Sequence, residues 1–249
     1  MLPALKSIGE SFIELQRVDS TNNYATALLH EGMAQHGTVV FAHEQTKGRG
    51  QRNKTWITGS GENIAMSVVV QPIGLGVSQL FLLSIAIAVG VQKFFSRYAG
   101  DQTKVKWPND LYWRDRKAAG ILIENSLAGG EWKHAVVGIG ININQNNFEN
   151  LEQKAVSLKQ ITGKEYNVIA LAKELCLDLQ WACTNLLGNS QTVIDTYQQQ
   201  LYKLNEVVRL KKGNRVFDTR IKGVTTNGQL ITRHAIEELF DVGEVEWIL

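Results

Sequence analysis

The chain has 249 residues, 44% hydrophobic and 20% charged, enough for a sizeable core and ordinary for a globular protein, so disordered and fibrous classes are excluded. Twenty-six basic against 24 acidic residues leave a net charge of +2, too small for nucleic-acid binding by bulk electrostatics, so any anion site must be local. Cys176 and Cys183, in a segment with helical amphipathicity, form neither a zinc pattern nor a secreted disulfide framework, and the redox reading is cytosolic.

Residues 1–10 lack the long apolar core of a signal peptide. Residues 12–18 alternate as a strand, Asp19-Ser20-Thr21-Asn22 offers N-cap chemistry, and 24–30 continue as a helix. Residues 38–44 read as a strand, 45–61 as a long exposed loop rich in Gly, Lys and Arg, and 63–71 as a β-branched strand. The helix predicted over 77–98 holds the most apolar run, 80–91, which Ser84 interrupts and which is too short to span a bilayer. No membrane segment is expected, and the expected location is cytoplasmic. Strands follow at 104–107, 111–113, 120–124 and 132–144, the last two apolar on both faces and hence central. Residues 146–162 are polar and read as mobile. Helices are expected over 168–187, capped by Asn167, and 191–202, capped by Ser190. Short strands at 207–210, 215–224, 229–232 and 236–240, with turns at Lys212-Gly213-Asn214 and Asn227-Gly228, predict a small β-barrel. The order lacks a regular βαβ beat, which predicts an α+β fold with a mixed sheet over 1–203 and the barrel over 204–249.

Three segments could carry chemistry. In Lys47-Gly48-Arg49-Gly50-Gln51-Arg52-Asn53-Lys54, glycines allow close backbone approach, and Arg49 and Arg52 can fork onto phosphate oxygens. Alone it is equally a solvated basic loop, and it is neither a Walker A loop nor a dinucleotide fingerprint. Lys106-Trp107-Pro108-Asn109-Asp110 has turn chemistry, and Lys117 just before an apolar strand could meet a carboxylate and charge developing at an α-phosphate. Gly138-Ile139-Gly140-Ile141-Asn142 places glycines inside a strand, which marks close approach of a ligand or tight sheet packing, and ends on an amide.

Taken in order, Asp19 to Asn22, Glu44 to Arg52 with Trp56, Lys106 to Asp110, Lys117 to Glu124 and Gly138 to Asn142 resemble the motif series of the biotin protein ligases. The resemblance covers nearly the whole chain: 155–162 looks like the family's adenine-side loop and 204–249 like its C-terminal SH3-like barrel. It implies a class II synthetase-like catalytic domain that makes biotinyl-5′-adenylate from biotin and ATP with Mg2+, then passes biotin to a lysine of a biotin carboxyl carrier protein. Under the resemblance Ser20, Thr21, Asn22 and Gln45 hold biotin, Arg49 and Gly50 close over it, and Gln51 bears on how tightly the loop retains the adenylate. Lys117 meets the carboxylate and α-phosphate, and Gly120 walls the biotin pocket. Trp56, Lys106, Asn109 and Asn142 belong to the nucleotide side and Arg52 to the phosphates. Metal ligands are not identified, and a homodimer is possible in this family.

Two departures stand out. Many members carry arginine where this chain has Gln51 and glycine where it has Asn53; Gln51 loses a charge, and Asn53 tolerates a left-handed turn. The first motif starts at Asp19, so direct DNA binding by an N-terminal helix-turn-helix domain is not expected. The alternatives are a lipoate-protein ligase-like adenylating enzyme, against which the Gly-Arg-Gly-Gln-Arg loop and Lys-Trp-Pro-Asn-Asp motif argue, and a non-catalytic nucleotide-binding protein.

Overall fold

The computed structural model describes residues 6–148 and 154–248. Seven strands form one mixed sheet: β1 (Phe12–Val18), β2 (Val39–Gln45), β3 (Ile64–Val70), β4 (Thr103–Lys106), β5 (Asp110–Trp113), β6 (Arg116–Ala128) and β7 (Glu131–Ile141), in the order β1-β2-β3-β7-β6-β5-β4. β1 and β2 run parallel, as the crossover helix α1 (Thr21–His30) between them requires. The other neighbours are antiparallel. This is the mixed α+β sheet that the element order predicts.

Alternation divides the sheet into two faces. On β7, Val137, Ile139 and Ile141 enter the main core, whereas Val136 packs with Ala25 and Leu28 of α1. Gly138 and Gly140 therefore lie on the α1 face. The main core forms against α2 (Leu80–Ala99) and α4 (Val168–Gly188), with α5 (Ser190–Gln199) alongside. By length and composition α2 could cross a bilayer, since the helix runs on to Ala99, but most of its apolar window is buried in the protein. Arg97 of α2 forks onto Asp178 of α4 at 2.8 and 2.7 Å and onto Glu174 at 2.6 Å, fixing the two helices against each other. Cys176 and Cys183 of α4 are free and buried, and burial pushes their thiols up to about 11 and about 12.

β8 (Val207–Lys212), β9 (Arg215–Val224), β10 (Leu230–Arg233), β11 (Glu237–Phe240) and β12 (Glu246–Ile248) make a second, antiparallel sheet in the order β11-β10-β9-β8-β12, consistent with an SH3-like domain. It docks on the first through Trp107, whose indole N–H donates to the Gly228 carbonyl at 2.8 Å.

Local readings needed correction where long-range pairing overrides local chemistry. The strand expected from Gly120 begins at Arg116, so Lys117 lies within β6 and not ahead of it. Ser190 is the first residue of α5, and no side-chain cap precedes it. Ser20 is the N-cap of α1 by backbone geometry without a side-chain bond. Asn167 does cap α4, accepting from Ala170 N at 3.0 Å. Within 146–162, the short helix α3 (Leu158–Thr162) starts on a Ser157–Gln160 capping box; 149–153 lie outside the described residues, as do 1–5 of the N-terminal segment.

Phe94 is fully buried between α2 and its neighbours. Phe94→Ala should lower stability by about 3–5 kcal/mol, read from the urea midpoint; an unchanged midpoint would contradict this packing.

Candidate active site

Three positions on the α1 face of the central strands are glycine. Gly120 of β6 pairs with Gly140 of β7, and Gly138 lies two residues along. A Cβ on Gly140 would overlap the Trp56 indole, one on Gly120 would meet that ring at 3.1 Å, and one on Gly138 would overlap the Asn22 amide. These glycines permit close approach of side chains, not of a second backbone. The Trp56 N–H is buried there without a hydrogen-bond partner.

The N-terminal turn of α1 lies over this floor, with Ser20, Thr21 and Asn22 all buried. Gln45, at the end of β2, accepts from Thr21 N at 2.8 Å and from its hydroxyl at 3.1 Å. Ser67 of β3 donates to Asn22 Oδ1 at 2.5 Å, while Asn22 Nδ2 donates to Glu124 at 2.8 Å. A wall of amides and hydroxyls thus stands over a floor of glycine backbone on which the Trp56 indole and the Asn22 amide lie.

The glycine-rich segment is an ordered excursion. Trp56 N donates to Gly48 O at 3.0 Å, Gly50 N to Lys54 O at 2.7 Å, and Arg49 bridges Thr55. Arg49 forks onto Glu124 at 2.7 and 3.0 Å and donates to Asn23 at 2.9 Å, which pins the segment over Asn22. The left-handed residue is Arg52 (φ 55°, ψ 46°) and not Asn53. Arg52 turns away from the floor, and its guanidinium donates to Val242 O at 3.1 Å, over Gly243 in the turn between β11 and β12. Gln51 and Asn109 share a cleft of about 340 Å³ with Phe81, Ile123 and Asn125.

On the opposite side, Lys117 Nζ is held by Asp110 Oδ1 at 2.7 Å and lies 5.7 Å from the Trp56 ring centre. A Cβ on Gly120 would meet this ammonium at 3.5 Å, so Lys117 overlooks the floor. Its peptide is clamped by the chain around Ala155: Lys117 N donates to Lys154 O at 2.8 Å and Val156 N to Lys117 O at 2.9 Å. Asn142 completes the clamp, donating to the carbonyls of Val156 and Lys117 at 3.3 and 3.4 Å. The expected β4–β5 hairpin carries Lys106 and Asn109, and Asn109 donates to the Ile121 carbonyl of β6. Lys106 is buried, which lowers its pKa to about 8, with Asp110 opposing the shift and Lys117 and Lys54 adding to it.

The structure thus gathers Ser20, Thr21, Asn22, Gln45, Arg49, Gly50, Trp56, Lys117 and Gly120 around one floor, with Lys106, Asn109 and Asn142 on its Lys117 side. Arg52 stands apart from them. Sequence reasoning assigned no role to Glu124, Ser67 or Asp110. A lone serine in the apolar run 64–70, and a carboxylate closing the apolar run 121–123, are the signals that could have found the first two.

Residues 14–142, about half of the chain, match the family described as the biotin/lipoate A/B protein ligase family. The chain belongs to that family. Its relatives include the bifunctional ligase/repressor BirA of Bacillus subtilis, 27% identical over 239 residues that cover 94% of this chain and 73% of that protein. BirA of Escherichia coli is 32% identical over 192 residues, 77% of this chain and 56% of that one. Among solved structures, the biotin protein ligase from Aquifex aeolicus in complex with biotin and ATP superposes with a TM-score of 0.80 at 24% identity, covering 96% of this chain and 99% of that chain. This likeness shows that the fold is shared across the whole ligase.

In this member of the biotin/lipoate ligase family, Glu124 anchors the basic segment through Arg49. Glu124→Ala should speed tryptic cleavage after Arg49 and Arg52 several-fold under native conditions, followed by mass spectrometry; an unchanged rate would place the anchor elsewhere.

Proposed function

We propose that the protein is an ATP-dependent ligase that activates biotin as biotinyl-5′-adenylate and transfers it to a lysine of a biotin carboxyl carrier domain. The observation that carries this is the glycine floor. Five segments far apart in sequence meet on it, with amide and hydroxyl groups at one end and Lys117 at the other.

In the first step a biotin carboxylate oxygen bonds to the α-phosphorus of ATP while the α–β bridging bond breaks and pyrophosphate leaves. Lys117 faces both reacting groups, and its ammonium offsets negative charge as it gathers at the α-phosphate. Asp110 keeps that ammonium in place until substrate arrives. In the second step the neutral amine of the carrier lysine bonds to the acyl carbon, the acyl–phosphate C–O bond breaks, AMP leaves and the amine proton passes to solvent. Thr21, Asn22 and Gln45 face the ureido ring, with Ser20 setting the turn that presents them. The segment at Arg49 and Gly50 covers the mixed anhydride, which excludes water until the carrier comes. Lys106, Asn109 and Asn142 border the nucleotide.

Mg2+ enters as part of the ATP substrate. Among the described residues no three or more His, Cys, Asp or Glu side chains are grouped to hold an ion, and Asp110 is engaged by Lys117. Phosphates and water fit the octahedral demand of the ion. The same reading divides the chain at residue 204, ahead of β8, into a catalytic domain and an SH3-like barrel, in a protein of the cytoplasm.

The matched family also includes lipoate ligases. Acid-dependent pyrophosphate release should occur with biotin and not with lipoate; release with lipoate alone would overturn the assignment. Lys117→Ala should lower adenylate formation by about 10²–10³-fold while the melting temperature stays near that of the parent; a folded variant with full activity would remove Lys117 from the mechanism.

A further inference from the structure

The second sheet reaches the site at β12. Lys106 Nζ lies 5.4 Å from the ring centre of Trp247 and 5.0 Å from that of Tyr112. Both distances lie within the range over which a ring face attracts a cation. Tyr202 braces the arrangement, with its ring 5.1 Å from Tyr112 and 5.8 Å from Trp247 and its hydroxyl bonded to Asp115 at 2.6 Å.

Lys106 is 7% exposed, yet it has no hydrogen-bond or ion-pair partner among the described residues. Asp110 is the nearby carboxylate, and it is committed to Lys117 at 2.7 Å; Lys117 and Lys54 add like charge. Lys106 thus stands between two rings whose own polar hydrogens, the Tyr112 hydroxyl and the Trp247 indole N–H, are buried with nothing to receive them. Buried polar groups are ordinarily satisfied, so such a set marks a place where an anion belongs.

We infer that Trp247 is the positioning residue that holds the Lys106 ammonium toward the phosphates of ATP. The inference rests on the placement of Lys106 at the nucleotide made above. Trp247 reaches Lys106 and not the biotin wall, so its effect falls on ATP alone. Burial is what depresses Lys106 to about 8. The binding form is the cation, present below that value and lost above it. Asp110 opposes the depression, while Lys54 and Lys117 deepen it. Burial pushes the hydroxyls of Tyr112 and Tyr202 well above the ordinary tyrosine range, so neither titrates here.

The test measures biotin-dependent pyrophosphate release by the full-length protein without carrier, so the carrier lysine does not enter the pH profile. For the parent, kcat/KM for ATP should fall as pH rises through about 8. Trp247→Ala should raise the KM for ATP about tenfold, leave the KM for biotin unchanged, and move the descending limb up toward the ordinary lysine value near 10.4. Trp247→Phe, which keeps a ring in place, should stay near the parent in both respects and guards against loss of fold. Lys106→Met separates the two layers. If it leaves the KM for ATP unchanged, Lys106 does not serve the nucleotide and both readings fall. If it raises that KM while Trp247→Ala changes neither KM nor limb, only the role of Trp247 is overturned. Equal losses toward ATP and biotin in folded Trp247→Ala, with the limb in place, would make Trp247 a structural residue and overturn the inference.

Discussion

Everything at the site rests on the absence of three side chains. Gly120, Gly138 and Gly140 leave one face of the central sheet flat, so that an indole and an amide can lie directly on the backbone. A single methyl at Gly138 or Gly140 would overlap its neighbour. The opposite face of the same strands is dense with Val137, Ile139 and Ile141 packed beneath α2 and α4. That asymmetry lets one sheet provide both a rigid core and a binding surface, since the strands cannot shift toward the ligand without breaking the helical layer.

Charge is stored around the floor in pairs, which the proposed function has substrates exchange. Arg49 is held by Glu124 and Lys117 by Asp110, each within 2.7 Å, and both pairs keep some contact with solvent. The more exposed Arg49–Glu124 pair contributes little to stability, so opening it costs little, whereas the more buried Lys117 needs a replacement anion when Asp110 lets go. Their value lies in orientation: the cations wait at the floor and do not range through water. Lys106 is handled differently, by aromatic rings in place of a carboxylate. Arg52 lies away from the floor, bonded at the 242–243 turn, so the basic segment is tied both to the seven-stranded sheet and to the second one.

Much of this was legible in the sequence, for identifiable reasons. Strand alternation and a continuous apolar helix depend on local pattern, and β1, β2, β3, α2 and α4 followed from it. The order of five motifs pointed to the candidate site because each carries residues with little local purpose, such as the glycines of β7. What failed was nonlocal. β6 begins at Arg116 because pairing with β5 and with residue 155 extends a strand whose first residues are polar or small. β12 has three residues and exists through pairing with β8, which no local period shows. The bond from Arg52 to Val242 and the approach of Trp247 to Lys106 join segments more than a hundred residues apart. Side chains at the floor were easier to name than their partners, since Glu124 and Ser67 acquire meaning only once β3 and β6 are set beside α1.

The central claim is that this floor builds an adenylate which then acylates a lysine of another protein. The most direct measurement is the mass of a biotin carrier domain incubated with the protein, biotin and ATP. The account predicts one biotinyl group gained, at a single lysine, and only when both biotin and ATP are present. A carrier of unchanged mass, alongside biotin-dependent release of pyrophosphate, would contradict it by leaving an adenylating enzyme that transfers to no carrier lysine.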